Sequence, residues 1–382
     1  MTGNHYNQHQ IRILMISYTS FIQEFYQSLP REIALITDSE MKVLVPPYSK
    51  EMWSAGKKYL EKKSDPNYEI HIGKIIFTGN LHFAFFITKL KKLLQTFKPD
   101  IIDMENEPFN AGGFQLVFYS KLFSAHSKIV LHASQHQYKN YPPPFNIFER
   151  YSLKHADAIL VRNYMAKDVL DRKGYKGRLE IITHGVDTEA FKPRDRSTQD
   201  KDTKQIIGYV GAIVEQKGIK HLIEAVSNLE CQLLIIGDGP EKEFLFNLAV
   251  QLDMDIRFEP AASHKQVAEY MRQMDIFVLP SLTRPNWVEK FGRVLIEAMA
   301  SGVPVVGSNS GEIPHVIGNA GLVFEEGNSE DLKSKLAQLL NNEVLRKNLG
   351  KMGRERAVKY YSWESIAKQT VKIYRQILND QN

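Results

Sequence analysis

Short aliphatic runs punctuate the chain at regular intervals. IRILMISY, MKVLVPP, DIIDMEN, KIVLHAS, AILVRN and LEIITHGVD fall in the first half. QIIGYVGAI, QLLIIGDG, DIRFEP, IFVLPS and VPVVGSN fall in the second. Between many of them apolar residues recur at helical spacing, as in LHFAFFITKLKKLLQTFKPD, NIFERYSLKHAD, GIKHLIEAVSNL, EKEFLFNLAVQLD, HKQVAEYMRQMD and GRVLIEAMASG. Runs that are apolar on both faces and end at Gly, Asp or Pro predict parallel strands covered by helices on both sides. The pattern therefore predicts two doubly wound α/β domains. The seam falls near RDRSTQDKDTKQ, residues 194–205, which is charged, lacks apolar periodicity and reads as a linker or surface loop. The last segment, YSWESIAKQTVKIYRQILND, predicts a helix with Ser362 as N-cap and Ile366, Val371, Ile373 and Ile377 on its apolar face.

Composition narrows the class. The chain has 382 residues, 43% of them hydrophobic, enough for two domains with separate cores. No run approaches the ~18 apolar residues of a membrane span. The opening MTGNHYNQHQ lacks an apolar core, so it reads as a polar tail and not a secretory signal. The single cysteine, Cys231, sits in the predicted strand CQLLIIG. It fits a reducing cytoplasm and excludes a disulfide framework or a cysteine metal site.

The net charge of +5 is unevenly placed: residues 1–186 hold 24 Lys/Arg against 17 Asp/Glu, and the remainder 25 against 27. A basic first half suits either an anionic membrane face or acceptor, or simply a solvated surface. Lysines 89, 91, 92 and 98 beside an apolar stripe carry the same two readings, a helix pressed on a membrane or a core helix with a basic outer face. No zinc-ligand spacing, Asp-x-Asp pair, nucleophile–His–acid set or nucleic-acid motif stands out, so neither a metal nor a nucleic acid is expected.

One stretch carries chemistry: VEKFGRVLIEAMASGVPVVGSNSGEIPHVIG, Val288 to Gly318. Glu289 and Glu297 are eight positions apart, about 12 Å of rise on a continuous helix, too far for a glycosidase carboxylate pair. The polar loop before Gly292 predicts a helix start there, with Glu289 in the loop and Glu297 one to two turns inside. Between them lies a helix N-terminus, whose free amides and positive dipole suit phosphate. Carboxylates on either side could accept from hydroxyls, which is the shape of a sugar–diphosphate–ribose ligand.

This string resembles the donor-site signature of retaining glycosyltransferases of family 4: Glu289 and Glu297, Phe291 and Gly292 between them, then EAMASGVPVV and the turn at Gly311 and Glu312. GYVGAIVEQKGIKHLIEAV, LLIIGDGPEKEFL, DIFVLPS, YSWESIA, YPPPFNIFER and ITHGVDTEAFKP extend the resemblance across both halves. It implies GT-B architecture, two Rossmann-like domains facing across a cleft. Residues 1–186 would form the acceptor-side domain, 187–362 the donor domain, and the last helix, 363–382, would pack back on the first.

The resemblance also implies roles. Glu289 contacts the donor sugar, Glu297 holds the ribose, and Gly292, Arg293 and Val294 offer the helix start to the diphosphate. Lys217 is the cation on the leaving group. Gly211 and Gly237, the latter in GDGPE, line the donor pocket, and Phe258–Pro260 lie near the base. Ala212 stands where the family has a second cation, an arginine, and Arg284 is a candidate replacement. On the acceptor side His132, at a strand's carboxyl end, would face the reacting sugar, with His136 as second choice. SYTSFIQEFYQSL replaces the family's Gly-Gly loop, so the resemblance leaves the acceptor contacts open; Glu105, Asn106 and Glu107, at a strand end, could line the acceptor cleft or belong to a solvated loop.

The expected activity is retaining, metal-independent transfer of a sugar from a UDP- or GDP-sugar to a hydroxyl of a sugar, lipid-linked or other acceptor. Cell-surface polysaccharide or glycolipid synthesis at the cytoplasmic side, with peripheral contact to anionic membrane, is the default setting. A non-catalytic nucleotide-sugar binder and a nucleotide-sugar epimerase of the same fold remain alternatives.

Overall fold

The computed structural model describes residues 10–18, 27–50, 57–60, 64–77, 80, 82–194 and 204–380. Most of the polar tail, of the expected linker and of SYTSFIQEFYQSL lie outside these residues. The chain divides into two compact units, residues 1–185 with 363–382 and residues 186–362.

The first unit is built on a seven-stranded parallel sheet. In chain order its strands are β1 (Arg12–Ser17), β2 (Glu40–Val45), β5 (Glu69–Ile72), β8 (Ile101–Glu105), β9 (Lys128–Ala133), β10 (Ala158–Val161) and β11 (Arg178–Ile181). Two small antiparallel pairs flank it, β3 (Tyr48–Lys50) with β4 (Lys57–Tyr59) and β6 (Ile75–Ile76) with β7 (Phe85–Phe86). The spatial order is β11-β10-β9-β8-β1-β2-β5, so the order reverses between β1 and β8. Alternation along β1 explains the two cores. Ile13 and Met15 face helix α1 (Ser28–Thr37) and the terminal α13 (Trp363–Asn379), whereas Leu14 and Ile16 face α2 (Leu90–Phe97) and α3 (Ala111–Phe123). Helices α4 (Phe145–His155) and α5 (Tyr164–Arg172) complete the connections.

Helix α13 belongs to this unit. It buries Trp363, Ile366, Val371, Ile373, Tyr374 and Ile377, and each fully buried aliphatic contributes roughly 1.5–3 kcal/mol. Ser362 precedes it in extended conformation, and its hydroxyl donates backwards to the Val358 carbonyl.

The expected helix over LHFAFFITKLKKLLQTFKPD is half right. Phe85–Phe86 is a strand, and the helix covers only Leu90–Phe97. The β-rich aromatics outweigh the helical spacing, and Lys89, at φ +73°, interrupts any helix there. Leu90, Leu93, Leu94 and Phe97 are buried in the core, so the apolar stripe is not free to meet a membrane, while Lys91 and Lys92 point to solvent. Among the described residues no helix is long and apolar enough to cross a membrane.

The second unit has six parallel strands: β12 (Gln205–Val210), β13 (Cys231–Ile236), β14 (Ile256–Glu259), β15 (Ile276–Leu279), β16 (Val305–Ser308) and β17 (Gly321–Phe324). Their order, β14-β13-β12-β15-β16-β17, is the 3-2-1-4-5-6 arrangement of a dinucleotide-binding sheet. Helices α6 (Ile219–Val226), α7 (Lys242–Gln251), α8 (His264–Met271), α9 (Arg293–Ala300), α10 (Ile313–Ile317), α11 (Ser329–Leu340) and α12 (Glu343–Arg356) surround it. The β12–β15 ladder ends at Gly208↔Phe277, two residues short of either strand's end. The two strands therefore part at the switch point, where open α/β sheets collect ligands.

Candidate active site

In the second unit three strand-end loops converge on Glu289. The loop after β12 carries Lys217 on a single 3-10 turn (Glu215–Lys217), and its ammonium lies 2.6 Å from the Glu289 carboxylate. The loop after β15 supplies Glu289 itself, Ser281, whose hydroxyl donates to the same carboxylate oxygen at 3.1 Å, and Trp287, whose ring lies 5.0 Å from the Lys217 ammonium. The loop after β16 braces Glu289 from behind, where the Glu312 amide donates to its carbonyl at 3.0 Å.

Backbone contact explains the glycines. A Cβ on Gly218 would sit 2.0 Å from the Pro280 carbonyl oxygen, and one on Gly311 would sit 2.2 Å from that of Glu289. Lys217 and Glu289 are therefore held by tight loop-to-loop packing that no side chain could enter.

The expected helix start is present. Gly292, at φ +75°, turns the chain into α9, and it brings no side chain to cap the first turn. Glu297 lies 3% exposed inside this helix. A buried carboxylate needs compensating partners, and an arginine and a histidine meet one of its oxygens, Arg293 at 3.3 Å and His264 at 3.4 Å. His264, which opens α8, had no signal in the sequence. Glu312 is also buried, against His315 at 3.2 Å.

Other expected residues occupy different places. The Phe291 side chain is buried in the core against Tyr361, leaving only its backbone for a ligand. A Cβ on Gly237 would meet the Gly211 carbonyl oxygen at 1.9 Å, so this glycine serves the contact between the β12 and β13 loops. Glu241, at the start of α7, has its carboxyl pushed upward by burial and by the nearby Glu215 charge. Ala212 is exposed, and the Tyr209 hydroxyl donates to its carbonyl at 2.8 Å. Arg284 joins the Lys217 turn by a fork on Glu215, 2.8 and 3.2 Å. Phe258 and Glu259 close β14 half-buried, with Arg257 3.3 Å from Glu259.

In the first unit, alternation places Ser17, Glu105, His132 and Arg162 on one face at the carboxyl ends of four adjacent strands. Arg162 binds Glu105 at 3.0 Å, and the Ser17 hydroxyl donates to Glu105 at 3.0 Å. His132, 5% exposed, contacts Asp103 at 2.6 Å through Nε2. Asp103 is 1% exposed and also accepts from the Tyr374 hydroxyl of α13. Burial alone would raise the Asp103 carboxyl, but its neighbours His132, Tyr374 and Arg162 hold it below the usual carboxylate range.

Above this network opens a polar cavity of about 360 Å³, lined by His132, Glu105, Asn106, Glu107, Tyr18 and Arg162 among others. His132, Glu105 and Asn106 thus come together as expected. His136 is not among the lining residues. Asp103 was passed over in sequence because a lone acid within an apolar strand has no local pattern.

Comparison with known proteins agrees with this architecture. Residues 190–356 match glycosyl transferases group 1, and residues 54–190 match glycosyltransferase family 4. The chain belongs to this family of group 1, family 4 glycosyltransferases. It is 32% identical over 233 residues to an uncharacterized glycosyltransferase of Methanocaldococcus jannaschii, covering 60% of this chain and 62% of the relative. It is 30% identical over 234 residues to the MMP α-(1→4)-mannosyltransferase of Mycolicibacterium hassiacum, covering 58% and 54%. These matches span less than two thirds of either relative. Anabaena HepE, solved in complex with UDP, superposes with a TM-score of 0.68 at 15% identity over 96% of this chain and all of that one. The fold is the two-domain GT-B type that the sequence resemblance implies.

Proposed function

We propose that the protein transfers a sugar, with retention at the anomeric carbon, from a nucleotide-diphosphate sugar to a hydroxyl acceptor. The observation that carries this reading is the Lys217–Glu289 pair, 2.6 Å apart at the parting of β12 and β15. In this reading the two groups neutralise each other until the donor arrives. The diphosphate then takes the Lys217 ammonium and the amides at the start of α9, and Glu289 turns to the donor sugar's hydroxyls. As the sugar–phosphate bond breaks, Lys217 stabilises the charge growing on the leaving diphosphate. Arg284, held beside Lys217's turn, supplies the second cation in place of the absent family arginine. Glu297 receives the ribose once Arg293 or His264 yields. No resident cofactor or metal is invoked.

UDP is the first nucleotide to try, because HepE was solved with it. The polar cavity of the first unit is assigned to the acceptor. The basic surplus of the first half supports a peripheral, cytoplasmic-face setting in polysaccharide or glycolipid synthesis.

Thermal unfolding with UDP, GDP, ADP and their sugar conjugates tests the donor site. A ligand at 100 times its Kd adds about 2.7 kcal/mol. The expected result is a shift with one nucleotide series that Lys217→Ala and Glu297→Ala both abolish. No shift with any series would overturn the reading. Ala212 favours a second reading, a non-catalytic binder, which predicts the shift without any release of nucleoside diphosphate in the presence of acceptors. Proton NMR of the product's anomeric coupling decides retention.

A further inference from the structure

We propose that Asp103 is a positioning residue for His132, holding the ring with its proton on Nε2 and leaving Nδ1 as the hydrogen-bond acceptor for a ligand hydroxyl. An ionised carboxylate only accepts hydrogen bonds. The 2.6 Å contact between Asp103 and His132 Nε2 therefore requires the proton on that nitrogen. The carboxylate's other oxygen accepts from Tyr374, so both oxygens face donors and neither needs a proton of its own.

The second observation is at the opposite edge of the ring. His132 Nδ1 is buried and has no partner among the described residues. In the neutral ring with Nε2 protonated, Nδ1 is a lone pair lacking a donor. His132 lines the polar cavity, where the polar side chains of Tyr18, Asn106, Glu107 and His82 also gather. An unpartnered buried nitrogen on a ring that lines this cavity is where a hydroxyl entering the cavity would find an acceptor. A hydroxyl has the right chemistry, donating to Nδ1; a carboxylate or phosphate would bring a second acceptor. That this hydroxyl is the one glycosylated rests on the preceding functional reading, whereas the tautomer does not.

The charged and titratable groups around the pair are Glu105 on β8, Arg162 after β10, His184 after β11, Tyr18 after β1 and Tyr374 on α13. Arg162 is already bound to Glu105 and to the carbonyls of Ile182 and Thr183. The ring's orientation is thus left to Asp103. Tyr374, supplied by a helix more than 200 residues away in sequence, locks the carboxylate in turn.

The test is nitrogen-15 NMR of the histidine-labelled full chain, with His132→Asn assigning the signal among the twelve histidines. At pH 8 the expected His132 spectrum shows a protonated Nε2 and an unprotonated Nδ1. Asp103→Asn is expected to give mixed tautomers while the other histidine signals stay in place. A protonated Nδ1 in the unmodified protein, or an unchanged His132 pattern in Asp103→Asn, overturns the proposal. If Asp103→Asn does not fold, the spectrum of the unmodified protein still decides.

A kinetic arm separates positioning from mere support. With the donor that the thermal screen identifies, Asp103→Asn should lower kcat at least about tenfold, part of the ~10²–10⁴ that acid–base help supplies, and leave the donor KM unchanged. An effect confined to donor KM would overturn the positioning role. If no nucleotide binds at all, the functional reading fails while the tautomer result stands.

Discussion

The two units solve one architectural problem in different ways. Both sheets share the strand order 3-2-1-4-5-6, with a seventh strand added in the first unit, and both gather polar groups at the carboxyl ends beside the point where the order reverses. In the second unit the polar groups stand on loops whose backbones lock together, glycine against carbonyl, around a part-exposed Lys217–Glu289 pair. In the first unit they stand on the strands or just past their ends, largely buried, and hold one another through side chains from β8, β9, the residue after β10, and α13. Backbone-locked loops hold a lysine and a carboxylate in contact, and in the proposed function a ligand displaces one from the other. A buried side-chain network instead fixes the orientation of a single ring. The difference predicts that substitutions in the second unit chiefly damage ligand chemistry and those in the first chiefly damage local stability and orientation.

The largest effect should come from Lys217→Ala. Removing a fixed charge from a leaving-group site costs about 10²–10³ in rate. The release rate of nucleoside diphosphate at saturating donor and acceptor should fall by that factor, with the unfolding midpoint of the ligand-free protein little changed. A loss below about tenfold would mean that the pair is structural, and the contrast between the units would collapse.

Asp103→Asn should be next, at about 2 kcal/mol, the cost of losing hydrogen bonds to a buried charge. It should appear as faster amide exchange in β8 and β9, not as a change in nucleotide affinity. Its pH dependence has a definite sign. The folded-state carboxyl is held below its ordinary value, so its stabilisation is complete above the ordinary pKa of about 3.9 and is lost as pH falls through the folded value. The gap between unmodified and Asp103→Asn protein should therefore be widest near neutrality and close in acid. A gap that widens in acid would show that Asp103 is not the group being held ionised.

Two glycines sharpen the comparison further. Gly218 and Gly174 both have positive φ, +66° and +77°. Gly174, in the first unit, has nothing within 4 Å of an added Cβ, whereas Gly218 meets the Pro280 carbonyl. Gly174→Ala should cost only the left-handed backbone strain, about 1–2 kcal/mol. Gly218→Ala carries the same strain and must also shift the Lys217 turn, so it alone should weaken nucleotide binding in the thermal assay. Equal effects on binding would remove the claim that loop packing sets the position of Lys217.

These differences also explain what could be read from sequence. The helix start between Glu289 and Glu297 was legible because its parts lie within nine consecutive residues and follow a recognisable grammar of polar loop, Gly292 and apolar period, while the roles of the two glutamates came from the family resemblance. The strand runs were legible because parallel strands buried on both faces are continuously apolar. The strand at Phe85–Phe86 was missed because helical and strand patterns overlap in a short aromatic run. Asp103, Arg162 and Tyr374 were missed because their meaning arises only when β8, β10 and α13 come together, at separations no local pattern records. Gly237 was legible as a turn and illegible as a packing contact, since the carbonyl that excludes its Cβ belongs to Gly211.

The smallest expected effect on stability is that of Arg284→Ala. Its fork on Glu215 is exposed, and exposed ion pairs contribute about 0–1 kcal/mol. The unfolding midpoint should therefore hardly move. The informative measurement is the nucleoside diphosphate release rate. Ala212 offers no charge, and Arg284 is tied to the Lys217 turn through Glu215. If it serves as the second cation, its loss should slow release by about tenfold, some 1.4 kcal/mol of barrier, and should slow it further at high salt, where the remaining charge on Lys217 is screened. An unchanged rate would leave Lys217 as the sole cation and make Ala212 a true reduction of the family site, in which case Glu215→Ala, which frees Arg284 without removing it, should also be silent.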